Sequence, residues 1–139
     1  MSARSKARKR ALDVLYAAEM RAQDPVTALE AAVAEGEGPT TPYSAVLVRG
    51  VSEHRDRIDE LLGQYAQGWT LDRMPAVDRN ALRIGAFELL YADDVPDPVA
   101  VSEAVALVRD LSTDDSPAFV NGVLGSMLRD HDTLTLQGE

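Results

Sequence analysis

Apolar residues along this chain recur at spacings of three and four, the periodicity of amphipathic helices packed on one face. From Ser5 to about Arg21, Ala11, Leu12, Val14, Leu15, Tyr16 and Ala18 share a wide apolar arc, and Lys6, Lys9, Arg10, Asp13 and Arg21 fill the opposite wedge. Arg4 and Arg8 project along the azimuth of the buried face but precede its first large apolar residue. The first two turns are therefore expected to extend past the bundle, leaving both arginines free to meet a ligand. Pro25 opens a short helix through about Ala34, and Gly36, Gly38, Pro39 and Pro42 mark the loop beyond it.

Thr41 as N-cap and Pro42 as first helical residue start the clearest helix of the chain. Tyr43, Leu47, Val51, His54, Ile58, Leu61, Leu62 and Tyr65 form one stripe, which predicts a single core helix of about six turns ending at Gly68. Thr70, Asp72 and Arg73 belong to a polar turn. A fourth helix over about Ala76 to Tyr91 displays Val77, Ala81, Leu82, Ile84, Gly85, Leu89 and Leu90, with Asp78 in its first turn. Asp93 to Pro98 is a connector, because its two prolines remove donors and restrict their neighbours. A fifth helix follows to Leu111. Ser116 and Pro117 repeat the cap-plus-proline start for a last helix carrying Phe119, Val120, Val123, Leu124, Met127 and Leu128. The helical pattern fades at His131, so residues 131–139 are expected to be a flexible tail. The one alternating stretch, Thr133 to Leu136, is too short to build a sheet. The class is all-α, a single domain over residues 1–130 with helical halves of about 1–68 and 69–130.

Composition narrows the function. The 139 residues are 45% hydrophobic and 27% charged, ordinary for a globular chain able to bury a core without staples. Cysteine is absent, which removes disulfides, thiolate metal sites and a cysteine nucleophile. No long apolar run or signal-peptide core occurs, so a soluble, cytoplasmic protein is expected. The net charge is −9, yet Arg4, Lys6, Arg8, Lys9 and Arg10 give the first ten residues +5 with no acid among them. An anion-binding end on a body that repels polyanions implies local, oriented contact with nucleic acid. A solvated, inert basic terminus is the plainer reading of the same residues.

Catalytic chemistry finds little support. The glycines sit singly and form no phosphate-binding loop. His54 lies on an apolar stripe and His131 lies between two aspartates, too few and too far apart for a metal site. The pairs Asp93/Asp94 and Asp114/Asp115 occupy turns beside helix ends, where carboxylates complement backbone donors. No catalytic residue, metal ligand or cofactor is assigned, and the chain is expected not to be an enzyme.

The segment from Asp114 to Gly125, D-D-S-P-A-F-V-N-G-V-L-G, occurs with an N-terminal A-R-K-R-A-L-D-V-L-Y and a central M-P-A-V-D-R-N-A-L-R-I-G-A-F-E-L. In this order, and with a D-V-P connector, the segments resemble the NusB family of bacterial transcription antitermination factors across nearly the whole chain. The resemblance implies two small helical bundles packed together and no enzymatic activity. It implies binding of single-stranded boxA RNA in ribosomal RNA leaders together with NusE, a small-subunit ribosomal protein, so that the RNA polymerase antitermination complex reads through terminators. By position, Arg4, Lys6, Arg8, Lys9 and Arg10 fall in the family's arginine-rich RNA-binding motif. Asp115 and Phe119 match positions beside the RNA path, and Tyr16 and Asp78 match positions that face NusE. Some members form homodimers, although no stripe here demands one.

The residues' own chemistry ranks these roles. Arginine and lysine at an exposed helix end neutralise phosphates. Phe119 suits either stacking on an unpaired base or a place in the core. Asp115 suits either accepting from a base edge or complementing a helix end, and Tyr16 and Asp78 suit a core boundary and a helix dipole as readily as an interface. Two competing readings remain: an all-α adaptor whose basic arm meets an acidic protein, and a helical accessory domain like those preceding some ribosomal RNA methyltransferases. The absence of any cofactor-binding half counts against the second.

Overall fold

Capping chemistry sets the first two helix starts. The Ser2 hydroxyl accepts from the Ser5 amide at 3.0 Å, opening α1 (Ala3–Met20), and Asp24 accepts from the Thr27 amide at 2.9 Å, opening α2 (Pro25–Ala34) with proline in its first turn. These bonds from Thr27 hold the Asp24 carboxyl below its usual range. The computed structural model describes residues 2–36 and 41–137, with side chains up to residue 134. Among the described residues every regular element is helical: α3 (Pro42–Glu53), α4 (Arg55–Tyr65), a 3₁₀ turn (Leu71–Arg73), α5 (Ala76–Tyr91), α6 (Asp97–Leu111), α7 (Ser116–Arg129) and α8 (His131–Gln137) follow. Gly38 and Pro39, expected in a loop, lie outside the described residues.

The helix expected over Pro42 to Gly68 is two helices. His54 leaves helical geometry (φ −103°, ψ 16°) and its ring lies flat on Tyr91, with centroids 3.8 Å apart and planes at 12°. The apolar stripe survives because the break consumes a single residue. It is also where the chain divides into two compact units, Met1–Glu53 and His54–Glu139, rather than near residue 68.

In the first unit α1, α2 and α3 pack on one another around Ala11, Leu12, Leu15, Leu29, Leu47 and Val51. The Ser44 hydroxyl of α3 donates to the Ala7 carbonyl at 2.9 Å, and Ala7 is fully buried. The start of α1 is thus packed on α3 and does not project beyond it.

The second unit is built around α5, which touches α4, α6, α7 and α8. All residues from Asn80 to Leu89 are buried. Each large apolar side chain so buried contributes about 1.5–3 kcal/mol, but the run also contains Asn80, Arg83 and Glu88, which must be satisfied internally. Arg83 does this with a two-pronged pair to Asp59 of α4, at 2.9 and 3.0 Å, and a bond donated to the side-chain amide oxygen of Asn80. On α7, Ser116 is the first helical residue and points inward, so the expected N-cap position falls to Asp115, which makes no capping bond. The expected loose tail is also corrected. Residues 131–137 form α8, where Leu134 is buried and His131 pairs with Asp97 on α6. Among the α8 side chains described, Leu134 is the buried apolar anchor, and one such position leaves no helical periodicity to read.

Gly85 marks the tightest crossing. A Cβ there would lie 2.5 Å from Leu124 Cδ1 and 3.1 Å from Ala104 Cβ, so α5 meets α6 and α7 at a position only glycine fits. Gly85→Ala should lower stability by about 1–3 kcal/mol through overpacking, against the gain of roughly 1 kcal/mol that alanine brings to an open helix. Urea unfolding checks the sign, and a stabilised variant would contradict this packing.

Candidate nucleic-acid interface

The basic arm is the N-terminal half of α1, and its five cations have separate fates. Lys6, Lys9 and Arg10 are exposed. At helical spacing they share one face with Asp13, Tyr16 and Met20, which are exposed as well. Arg4 and Arg8 turn the other way, onto the ring of Tyr43 from α3, with guanidinium carbons 4.1 and 5.8 Å from the ring centroid. Arg4 is half-buried and Arg8 is only 3% exposed. The expectation that both arginines are free is therefore corrected. The apolar arc begins at Ala7, one turn earlier than the first large apolar residue, and Tyr43 supplies an aromatic face that attracts cations.

Tyr16 is 40% exposed and Met20, one turn further, is 54% exposed. The exposed cations of α1 are thus followed on the same face, past Asp13, by exposed Tyr16 and Met20. Together they form a continuous stripe along the helix, cationic at its start and apolar at its end.

In the second unit Asp115 is exposed at the start of α7, and Phe119 follows one turn later on the same face. Phe119 is half-buried, which resolves the choice between core and surface in favour of the boundary. Its neighbour is Trp69, 6.1 Å away between centroids with planes at 56°. Trp69, the one tryptophan of the chain, belongs to no helical stripe, and a polar turn after Gly68 is an unusual place for so large an apolar ring. Left-handed backbone at Gln67 (φ 31°) and Gly68 (φ 84°) turns the chain out of α4 and delivers the ring to the surface.

Asp78 is not an outward-facing residue. It is 3% exposed, and its two carboxylate oxygens accept from Ser112 at 2.6 Å and from Ser116 at 2.8 Å. Those serines stand at the end of α6 and the start of α7, so Asp78 ties three helices at one point. Its place in a first helical turn looked like a dipole partner, but spacing could not reveal two serines 34 and 38 residues away.

The chain matches the NusB family model over residues 5–129. It is 71% identical over 134 residues to the transcription antitermination protein NusB of Nocardioides sp., covering 96% of this chain and 99% of the relative. Among solved structures it resembles T. maritima NusB, with a TM-score of 0.83 and 30% identity over 94% of each chain. It also resembles a chain from a crystal structure of the antitermination factors NusB and NusE in complex with double-stranded RNA, with a TM-score of 0.78 and 29% identity over 91% of this chain and 96% of that one.

Burial separates the two aspartates. Asp78→Ala removes the carboxylate acceptor of the buried Ser116 hydroxyl and the part-buried Ser112 hydroxyl and should cost about 2 kcal/mol in urea unfolding, whereas Asp115→Ala at an exposed position should stay within about 0.5 kcal/mol. Equal losses would contradict the clamp.

Proposed function

The chain belongs to the NusB family, and on that premise we propose that it is a transcription antitermination factor that binds RNA through the exposed basic face of α1. The RNA is the single-stranded boxA element of ribosomal RNA leader transcripts. NusE binds beside it on the apolar continuation of α1 at Tyr16 and Met20, and the complex helps RNA polymerase read through terminators during ribosomal RNA synthesis. The protein acts by binding and not by catalysis, needs no cofactor, and works in the cytoplasm. No helix among the described residues is long and apolar enough to cross a membrane.

The observation that carries this reading is the division of charge in the folded protein. The first unit is balanced overall but gathers Lys6, Lys9 and Arg10 on an exposed helical face, while the second holds 16 acidic residues against 7 arginines and no lysine. A polyanion is drawn to the start of α1 and away from most of the remaining surface. Arg4 and Arg8, held on Tyr43, stiffen that helix end and add positive potential behind the exposed cations. The phosphate term supplies affinity, and sequence preference comes from contacts to the bases. A contribution of NusE to affinity follows from the small number of exposed cations.

Three phosphate contacts to single-stranded RNA give a slope of log affinity against log salt of roughly −2. Replacing Lys6, Lys9 and Arg10 together by alanine should weaken binding to a labelled boxA RNA and flatten the slope by about that amount, with helicity and melting unchanged. Fluorescence anisotropy against a scrambled RNA, with and without NusE and at several salt concentrations, makes the test. Unaltered RNA affinity in the triple variant would contradict the arm's role. Protein binding with no preference between the RNAs would favour an adaptor that meets an acidic partner.

A further inference from the structure

The first turn of α1 carries no acidic residue, and five cations crowd the first ten positions of the chain. Like charges at helical spacing repel one another, and the helix dipole places further positive charge at the same end. A helix start so composed tends to fray. Two consecutive residues at the start of α3 oppose this. The buried Ser44 hydroxyl donates to the Ala7 carbonyl at 2.9 Å and fixes the backbone. Its neighbour Tyr43, half-buried, takes the side chains: the guanidinium carbons of Arg4 and Arg8, one turn apart on α1, lie 4.1 and 5.8 Å from its ring centroid. A planar guanidinium suits such a face best, and the burial of Arg8 strengthens the attraction. The ring itself carries no charge, so it holds both cations and subtracts nothing from their positive field.

Resting on the RNA-binding reading above, we propose that Tyr43 is a positioning residue for RNA. It acts through Arg4 and Arg8, which it clamps, and so keeps the start of α1 helical. Lys6, Lys9 and Arg10, on the opposite side, then already share one face when RNA arrives. Such preorganisation raises affinity because a segment ordered beforehand loses less conformational entropy on binding. Two consequences separate this role from a phosphate contact. Tyr43 adds no charge, so its removal lowers affinity alike at every salt concentration, whereas removal of an exposed cation also flattens the salt dependence. Its effect is also conditional: where Lys6, Lys9 and Arg10 are gone, the ring has nothing left to position.

The test measures binding of labelled boxA RNA by the full chain at several salt concentrations, alone and with NusE, together with amide hydrogen exchange. Tyr43→Leu keeps an apolar side chain but removes the ring face. It should weaken RNA binding about threefold to tenfold with the salt slope unchanged, and should speed exchange at residues 6–10 but not at Leu47 and Val51 in α3. Tyr43→Phe should restore the affinity. In a chain already carrying Lys6→Ala, Lys9→Ala and Arg10→Ala, Tyr43→Leu should cost little further affinity, a coupling that a general loss of stability would not give. Arg4→Lys keeps the charge without the stacking plane and leaves α3 intact; it should show the same loss in smaller measure, and it carries the test if Tyr43→Leu does not fold. Wild-type RNA affinity in Tyr43→Leu, or in Arg4→Lys where the first variant does not fold, overturns the positioning role and leaves the exposed cations' role intact. So do equal losses with and without the three cations. A wild-type chain that binds no RNA, with or without NusE, overturns the RNA-binding reading itself.

Discussion

Helix α5 has almost no solvent face, and the second unit is organised by that constraint. Burying every residue from Asn80 to Leu89 requires a neighbour on each side, which α4, α6, α7 and α8 provide. It also requires a partner for each polar side chain so enclosed, and these partners fix the register of the neighbours. Arg83 locks α4 through Asp59, and Asp78 locks the α6 to α7 turn through Ser112 and Ser116. Gly85 then sets how closely α6 and α7 approach. The start of α7, which carries Asp115 and Phe119, is therefore positioned by a buried carboxylate one helix away. Phe119 is steady enough to support Trp69 because the turn before it is pinned.

The first unit solves a different problem, holding a run of cations at a helix end without letting it fray. Like charges at helical spacing repel one another, and the first turns of a helix also carry a positive dipole. Ala7 anchors the backbone against Ser44, and Tyr43 takes the Arg4 and Arg8 guanidiniums on its ring. Lys6, Lys9 and Arg10 remain outward. Two cations are taken up by the fold and three stay on the surface, so the charge of the first ten residues overstates the charge that α1 exposes.

Helices and class were legible because period and punctuation agreed: prolines opened α2 and α3, and the turn prolines and glycines separated α5 from its neighbours. The misses have physical causes. His54 sits on the apolar stripe, and its departure from helical geometry depends on Tyr91, which is distant in sequence. Arg8 reads as solvated until Tyr43 is beside it, and Asp78 reads as exposed until two serines approach. Among its described side chains α8 is held by the buried Leu134 and by the His131 pair with Asp97, neither of which leaves a pattern. Trp69 was the reverse case: it was visible in the sequence, but its meaning depends on exposure and on the ring of Phe119, which only the fold supplies.

RNA binding, on the reading proposed above, begins at the cationic face of α1 formed by Lys6, Lys9 and Arg10. Its most direct test is to follow the amide signals and the single tryptophan's indole N–H by NMR while boxA RNA is added to the isotope-labelled chain. Shifts gathered at residues 5–10, with the buried centre of α5 unmoved, are the expected result. Shifts that avoid residues 5–10 would contradict RNA binding by the basic face of α1.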